Sequence, residues 1–193
     1  MLRIGITGGI GSGKTHISNI LNKLGFPVFD ADFYASKCMN IDHVMKKIKI
    51  LFGDNIYKEG ILQREQLAQI IFSNTDKLYQ LNNIIHPIVK DLFIEWCANV
   101  NSDIIFKESA ILFESNSHIG LDATVCVDCP KEMRIDRVIR RNSLTREDVL
   151  KRMANQFSDS KKKSLSDYII INDNKALLTP QIMNLLKDLR LLK

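Results

Sequence analysis

The sequence has few cysteines, few aromatic residues and no long apolar run. Its 193 residues include only four cysteines, Cys38, Cys97, Cys126 and Cys129, too few and too scattered for the disulfide framework of a small secreted domain. Cys126 and Cys129 have the spacing of half a zinc or redox motif, but no second pair follows, so we interpret the cysteines as reduced and structural. No apolar run reaches the roughly 18 residues that a membrane span requires.

The sequence also shows no internal repeat, low-complexity tract or linker between domains. Its length fits one domain, since domains cluster at about 100 to 200 residues. The first predicted strand begins at residue 2, which leaves no room for the charged and apolar parts of a signal segment. We therefore expect a cytoplasmic protein that has no contact with a membrane.

Positive charge is concentrated in one part of the chain. Residues 130–163 contain 11 Lys and Arg against 5 Asp and Glu, whereas the rest of the chain is close to neutral. Such a segment indicates a polyanionic partner, either nucleic acid or a phosphorylated small molecule. Aromatic residues make up only 7% of the chain, which argues against base-stacking platforms, and no known nucleic-acid-binding motif is present. We therefore expect no nucleic acid partner.

Short apolar segments alternate with segments of helical periodicity. The predicted strands cover residues 2–6, 27–30, 103–107, 123–128 and 168–171. Their continuous apolar character is typical of parallel strands that are covered on both faces. Residues 42–100 are predicted to be mostly helical, with a break or kink at His86-Pro87. This alternation predicts an α/β fold with a doubly wound, mainly parallel sheet of about five strands.

A glycine-rich segment separates the first predicted strand from the first predicted helix. Residues 8–15, GGIGSGKT, satisfy the pattern GxxxxGK[ST] in the strand-to-helix context that this motif requires. Glycines let backbone amides surround phosphate oxygens, and the helix N-terminus adds partial positive charge. Lys14 can reach the β and γ phosphates, and the Thr15 hydroxyl can bind Mg²⁺. The segment therefore predicts a P-loop NTPase-type fold that binds a nucleoside triphosphate.

Motifs that would indicate another class of P-loop protein are missing. The sequence contains neither the DxxG nor the NKxD segment of a GTPase, and no LSGGQ-type transporter signature. These absences leave a small-molecule kinase as the favoured interpretation. A nucleic-acid-associated ATP-binding module is the alternative of a different class.

The order of further motifs resembles the dephospho-CoA kinase family over essentially the whole chain. These motifs are TGGIGSGKT at the N-terminus, DAD at 30–32, LQRE at 62–65, HP at 86–87, ILFE at 111–114 and IIIND near 170. The resemblance implies ATP-dependent phosphorylation of the ribose 3′-hydroxyl of dephospho-CoA. A kinase for another small metabolite or for a nucleoside monophosphate is the alternative. His16 follows Thr15 where the family usually has Ser or Thr, and Ala110 stands where proline is common.

The resemblance also implies a division of the chain and a set of site residues. It predicts a core at 1–33, 103–129 and 164–193, a helical acceptor-binding insertion at 34–102 and a helical lid at 130–163. The predicted ATP contacts are Gly9, Gly11, Ser12, Gly13, Lys14, Thr15, His16 and Asn172. The predicted acceptor contacts are Thr7, Asp32, Arg64, His86 and Glu114.

The predicted catalytic residues are Asp32, Lys14, Arg137 and Arg141. Asp30 and Asp32 follow the second strand at the sheet edge where α/β proteins bind ligands, and on an extended chain both would point the same way. Of the two, Asp32 matches the family's base, and the alternative interpretation of Asp30 is a helix cap. Arg137 and Arg141 share a helix face and would bring charge to the transferred phosphoryl group. We expect a monomer or weak oligomer.

Overall fold

The chain divides into two compact units, one built around a parallel sheet and one built mainly of helices. A computed structural model describes residues 1–192. The first unit comprises Met1–Phe29 together with the chain from Val100 onward, and the second comprises Asp30–Asn99. Within the described residues, no helix is both long enough and apolar enough to cross a membrane.

Seven strands and nine helices are present in the described residues. The strands are β1 (Leu2–Thr7), β2 (Val28–Asp30), β3 (Tyr57–Lys58), β4 (Ile61–Leu62), β5 (Ile104–Glu108), β6 (Ala123–Asp128) and β7 (Tyr168–Ile171). The helices are α1 (Lys14–Lys23), α2 (Ala31–Cys38), α3 (Asp42–Phe52), α4 (Arg64–Ser73), α5 (Thr75–Asn99), α6 (Lys131–Asn142), α7 (Arg146–Ala154), α8 (Asp159–Leu165) and α9 (Leu178–Leu191). One 3₁₀ turn covers Asp54–Ile56.

The main sheet has five strands in the order β2-β5-β1-β6-β7. The pairs β1–β5, β1–β6 and β6–β7 are parallel, which confirms the predicted α/β fold with its mainly parallel sheet. In the β1–β5 pair Ile4 lies beside Phe106, and Ile6 lies beside Glu108. Since parallel strands end at the same edge of a sheet, the chain segments that follow them are brought together there.

The sheet is buried against helices α1 and α9. Its central strands contribute fully buried side chains such as Ile4, Phe106 and Val125, and Ile17 and Leu21 of α1 pack against them. Each such side chain contributes about 1.5 to 3 kcal/mol through removal from water. This core fixes the carboxyl ends of the strands, and the candidate site is built on those ends.

The second unit contains two features that differ from the sequence expectations. Helix α5 continues through Pro87, so a break at this point is wrong, and the alternative, a kink, stays a prediction. Pro87 cannot donate the backbone hydrogen bond to residue 83. Strands β3 and β4 form a hairpin that was not predicted. Its turn residues Glu59 and Gly60 have φ values of 51° and 78°, the left-handed geometry of a tight hairpin turn.

Candidate active site

The glycine-rich loop connects β1 to α1 and depends on glycine for packing as well as for backbone geometry. Gly13 precedes α1 with φ of 94°, and a Cβ there would lie 2.1 Å from Nδ2 of Asn172. A Cβ on Gly9 would lie 1.8 Å from Nη1 of Arg134. Asn172 and Arg134 therefore pack closely against the loop, and a larger residue at Gly13 or Gly9 would displace them. No side chain of the described part of the chain caps α1, which leaves its first amides directed out of the helix at the loop.

Lys14 is buried and places its ammonium group over the loop. Its Nζ donates to the carbonyl oxygen of Gly8 at 3.1 Å and lies 3.5 Å from that of Gly9. The side chain is only 7% exposed, so its charge acts in a poorly screened environment. A cation and a helix N-terminus thus face the same short loop, the arrangement that favours phosphate binding.

Thr15 forms a hydrogen bond with an acidic residue that was not among the predicted site residues. The Thr15 hydroxyl donates to Oε1 of Glu108 at 2.9 Å. Glu108 is the last residue of β5 and is 3% exposed. A hydroxyl and a carboxylate are hard oxygen ligands of the kind that Mg²⁺ prefers, so the pair fits the predicted metal site. An acidic residue at the end of an apolar strand was the sequence signal for Glu108.

Two arginines of α6 hold the loop. Nη1 of Arg137 lies 3.5 Å from the carbonyl oxygen of Ser12, and its Nη2 donates to Oδ1 of Asn174 at 2.6 Å. Arg134 is 4% exposed, lies 3.4 Å from the carbonyl oxygen of Ile10 through Nη1 and forms an ion pair with Asp159. Arg134 was not singled out as a site residue from the sequence. Its burial and its contact with the loop became visible only in the structure.

Arg141 lies away from these contacts. It is exposed, and its Nε donates to Oδ1 of the neighbouring Asn142 at 2.8 Å. Arg137 and Arg141 are four residues apart, which is about 6 Å along the helix axis. Of the two, Arg137 reaches the loop. The catalytic role of Arg141 stays a prediction.

Asn172 anchors the loop from the end of β7. Its Nδ2 donates to the carbonyl oxygen of Ser12 at 2.7 Å, and its backbone amide donates to the carbonyl of Asp128 at 2.8 Å. A cavity of about 360 Å³ lies beside Arg137 and is lined also by Met133, Asp136, Arg140 and Asn174. This cavity has the flat cationic groups and polar atoms that suit a nucleotide base.

Thr7 is a buried polar residue of the first unit, and Glu114 is a partly buried one. Oε1 of Glu114 accepts a hydrogen bond from the amide of Phe157 at 2.7 Å and forms an ion pair with Lys162 at 2.9 Å. Its Oε2 and the Thr7 hydroxyl are buried and have no hydrogen-bond partner among the described residues. Buried polar atoms normally have a partner, so both atoms are candidates for a ligand or water contact. The predicted acceptor contacts of Thr7 and Glu114 stay predictions.

His16 is exposed in the first turn of α1, one residue after Thr15. Its backbone amide donates to the carbonyl of Gly13 at 3.0 Å. The predicted contact of His16 with ATP stays a prediction. Gly11 has φ of 80°, and Ser12 is fully buried with an Oγ that has no partner among the described residues.

In the second unit, the chain turns into a helix directly after Asp30. Oδ1 of Asp30 accepts from the amide of Phe33 at 2.9 Å and caps α2, as the alternative interpretation of Asp30 expected. Asp32 lies in the first turn of α2, so the expectation of two carboxylates on an extended strand is wrong. Arg64 is the exposed first residue of α4, and His86 is half-buried within α5.

All four cysteines are buried, and none of them forms a disulfide within the described residues. Burial is the main cause that raises the pKa of Cys126, to about 11, so this thiol is protonated at neutral pH. Nη1 of Arg137 lies 3.3 Å from Sγ of Cys129, yet burial still raises the pKa of that thiol. Among the described residues, no group of three or more His, Cys, Asp or Glu side chains could hold a metal ion.

Comparisons with known proteins place the chain in a family. The family model for dephospho-CoA kinase matches residues 2–177. A dephospho-CoA kinase of Porphyromonas gingivalis is 41% identical over 194 residues, covering 98% of this chain and 95% of the relative. A dephospho-CoA kinase of Bacteroides fragilis is 38% identical over 187 residues, covering 96% of this chain and 91% of the relative.

Solved structures agree with this assignment. A Thermus thermophilus structure has a TM-score of 0.85 at 30% identity and covers 97% of this chain and 96% of its own. The dephospho-CoA kinase from Campylobacter jejuni has a TM-score of 0.66 at 25% identity, covering 97% and 95%. The family match over most of the chain, together with the glycine-rich loop and its buried lysine, leads to one conclusion: the chain belongs to the dephospho-CoA kinase family.

Proposed function

We propose that this protein transfers the γ-phosphoryl group of ATP to the ribose 3′-hydroxyl of dephospho-CoA, giving coenzyme A and ADP. The main support for the proposal is the set of groups that surround the glycine-rich loop. Lys14, the uncapped N-terminus of α1, the Thr15–Glu108 pair and Arg137 all meet at residues 8–15. Family membership supplies the acceptor, dephospho-CoA.

The residues of the first unit account for the binding and charge stabilisation of the triphosphate. The amides at the start of α1 and the ammonium of Lys14 would bind phosphate oxygens, and Arg137 would bring positive charge from α6. The cavity beside Arg137 would bind the adenine base. Asn172 would hold the loop in place through its hydrogen bond to the carbonyl oxygen of Ser12. Because phosphoryl transfer proceeds through a loose, highly charged transition state, such positioning and charge provide most of the catalysis.

Magnesium is part of the proposal. Thr15 and Glu108 would hold Mg²⁺. The ion would neutralise charge on the β and γ phosphates of the nucleotide. The burial of Glu108 keeps its carboxylate fixed at the end of β5, so the protein would offer a preformed oxygen donor beside the Thr15 hydroxyl.

Asp32 would orient the acceptor hydroxyl and accept its proton. A carboxylate with an ordinary pKa near 3.9 is a weak base for an alcohol, but orienting the nucleophile matters more than early proton removal in this reaction. Arg64 would bind the pyrophosphate of dephospho-CoA, and His86 would shape the pantetheine side. These roles follow from the resemblance of the motifs to those of the family.

The basic segment at 130–163 supports a kinase over a nucleic-acid-binding protein. Several of its cations are held within the first unit: Arg134 by Asp159, Lys162 by Glu114, and Lys163 by Asp128 at 3.0 Å. Charges used in this way are less available to neutralise a nucleic-acid backbone. We place the reaction in the cytoplasm, with the protein acting as a monomer or weak oligomer.

An acceptor panel tests the proposed function. ADP release would be measured with dephospho-CoA and, in parallel, with AMP, CMP, shikimate and gluconate. Of these acceptors, we expect only dephospho-CoA to raise the rate of ADP release strongly above the rate with ATP and no acceptor. Stimulation by AMP or CMP instead would favour a nucleoside monophosphate kinase, and no stimulation by dephospho-CoA would refute the assignment.

A further inference from the structure

Ile10, at the tip of the glycine-rich loop, has its amide, its carbonyl and its side chain in contact with residues 130–163. Its amide donates to Oε1 of Gln156 at 2.9 Å. Its carbonyl oxygen lies 3.4 Å from Nη1 of Arg134. Its side chain packs against the apolar cluster formed by Ile135, Val138 and Val149 of α6 and α7. The tip of the loop is thus fastened on three sides, and none of these contacts belongs to the phosphate-binding groups described above.

Gln156 lies in the segment between α7 and α8, and this segment is itself fixed. Nε2 of Gln156 lies 3.4 Å from the carbonyl oxygen of Ala110. Lys162 donates to the same oxygen and is fully buried in its ion pair with Glu114. Because removing one partner of a buried ion pair is costly, this pair resists displacement. Gln156 therefore joins this fixed segment to the tip of the loop.

We propose that Gln156 is a positioning residue for ATP, acting through the amide of Ile10. By holding this amide, it keeps the loop in the shape that receives the triphosphate. The expected effect on KM for ATP rests on the proposed function, whereas the expected effect on amide exchange at Ile10 does not. A neutral hydrogen bond of this kind is worth a factor of about five in an equilibrium.

Gln156→Met tests the proposal because methionine has a similar length but neither donates to Ala110 nor accepts from Ile10. Asn155→Ala is the matched control, since within residues 1–192 the Asn155 side chain bonds only to the carbonyl of Lys151, at 2.9 Å. Amide hydrogen exchange measured by NMR in the nucleotide-free protein reports directly on Ile10. We expect Gln156→Met to speed exchange at Ile10 about fivefold, with exchange at Ile4 in β1 unchanged.

The kinetic expectation follows from the same contact. In Gln156→Met, KM for ATP rises about fivefold, while kcat and KM for dephospho-CoA change less than twofold. Asn155→Ala leaves all of these values unchanged. Should methionine prevent folding, Gln156→Ala removes the same two hydrogen bonds and serves the same comparison.

Two results would overturn the proposal. One is unchanged exchange at Ile10, or equal acceleration at Ile10 and Ile4, which would reveal general destabilisation. The other is an unchanged KM for ATP in a variant that turns over dephospho-CoA. If the unmodified protein does not phosphorylate dephospho-CoA at all, the proposed function fails, and the exchange measurement still decides the role of Gln156.

Discussion

Substituting alanine for Gly13 separates the packing requirement of the loop from its backbone requirement. Gly13 and Gly25 both have left-handed backbones, with φ of 94° and 87°. A Cβ on Gly13 would lie 2.1 Å from Nδ2 of Asn172, whereas a Cβ on Gly25 would meet no heavy atom of the other described residues within 4 Å, its chain neighbours aside. Gly25→Ala is therefore a matched control that carries the same backbone strain without the collision.

The difference between the two variants can be estimated from the structure. Each alanine adopts a left-handed conformation at a cost of about 1 to 2 kcal/mol, partly offset by about 0.4 to 1 kcal/mol from a less flexible unfolded chain. Only Gly13→Ala also displaces Asn172, whose Nδ2 donates to Ser12 at 2.7 Å in a buried site. Breaking such a bond and leaving a buried group unsatisfied costs about 1 to 3 kcal/mol. Gly13→Ala should thus be less stable than Gly25→Ala by about that amount.

Urea unfolding gives the stability of each variant, and initial rates at varied ATP give KM. We expect Gly25→Ala to keep KM for ATP within twofold, because Gly25 follows the C-terminal end of α1, whereas the loop precedes the N-terminal end. Gly13→Ala should raise KM for ATP at least about tenfold, because a loss of about 1.4 kcal/mol in the free energy of ATP binding corresponds to that factor. Equal losses of stability and equal KM values in the two variants would refute the assignment of Asn172 as the anchor of the loop.

Three further predictions follow from the site. Asp32→Asn should lower kcat by a factor of about 10² to 10⁴ and keep KM for ATP within twofold of the unmodified protein's value. Asp30→Asn keeps an oxygen that can cap α2, so it should retain turnover. Equal kcat values for the two variants in steady-state assays would exclude Asp32 as the base. Glu108→Gln keeps a partner for Thr15 but removes the charge, so the Mg²⁺ concentration at half-maximal rate should rise about tenfold in a magnesium titration, and an unchanged titration would exclude Glu108 from the metal site. The pKa of Cys126 is raised by burial to about 11 in the folded protein, above the ordinary value of 9.0, so its contribution to stability is complete below pH 9 and is lost as pH rises toward 11. Urea unfolding between pH 8 and 11 should show a smaller loss for Cys126→Ala than for the unmodified protein, and equal losses would contradict the burial argument.

The sheet and its loop could be predicted because each rests on a strong local pattern. Continuous apolar segments such as 123–128 indicate buried parallel strands, and GxxxxGK[ST] between strand and helix indicates phosphate binding. The cap formed by Asp30 and the hairpin turn at Glu59-Gly60 also had local signals, since aspartate favours helix N-caps and glycine favours left-handed turns. The first signal entered only as the alternative interpretation of Asp30, and the helical periodicity of the insertion obscured the second.

The remaining site contacts depend on tertiary structure. Arg134 and Gln156 reach the loop over sequence separations of 124 and 146 residues, and periodicity contains no information on such pairs. Arg137 and Arg141 have equivalent positions on one helix face, so only the placement of α6 against the loop distinguishes them. Pro87 lies within α5 because the surrounding helix is long and buries an apolar face, which outweighs the loss of one hydrogen bond.

The most direct test of the central claim is ³¹P NMR of a reaction containing this protein, ATP, Mg²⁺ and dephospho-CoA. The account predicts a new phosphomonoester signal on the ribose 3′-oxygen that grows in equal amount with ADP, and that is absent with Asp32→Asn over the same time. ADP formed without this signal, or a phosphomonoester at another position, would contradict it.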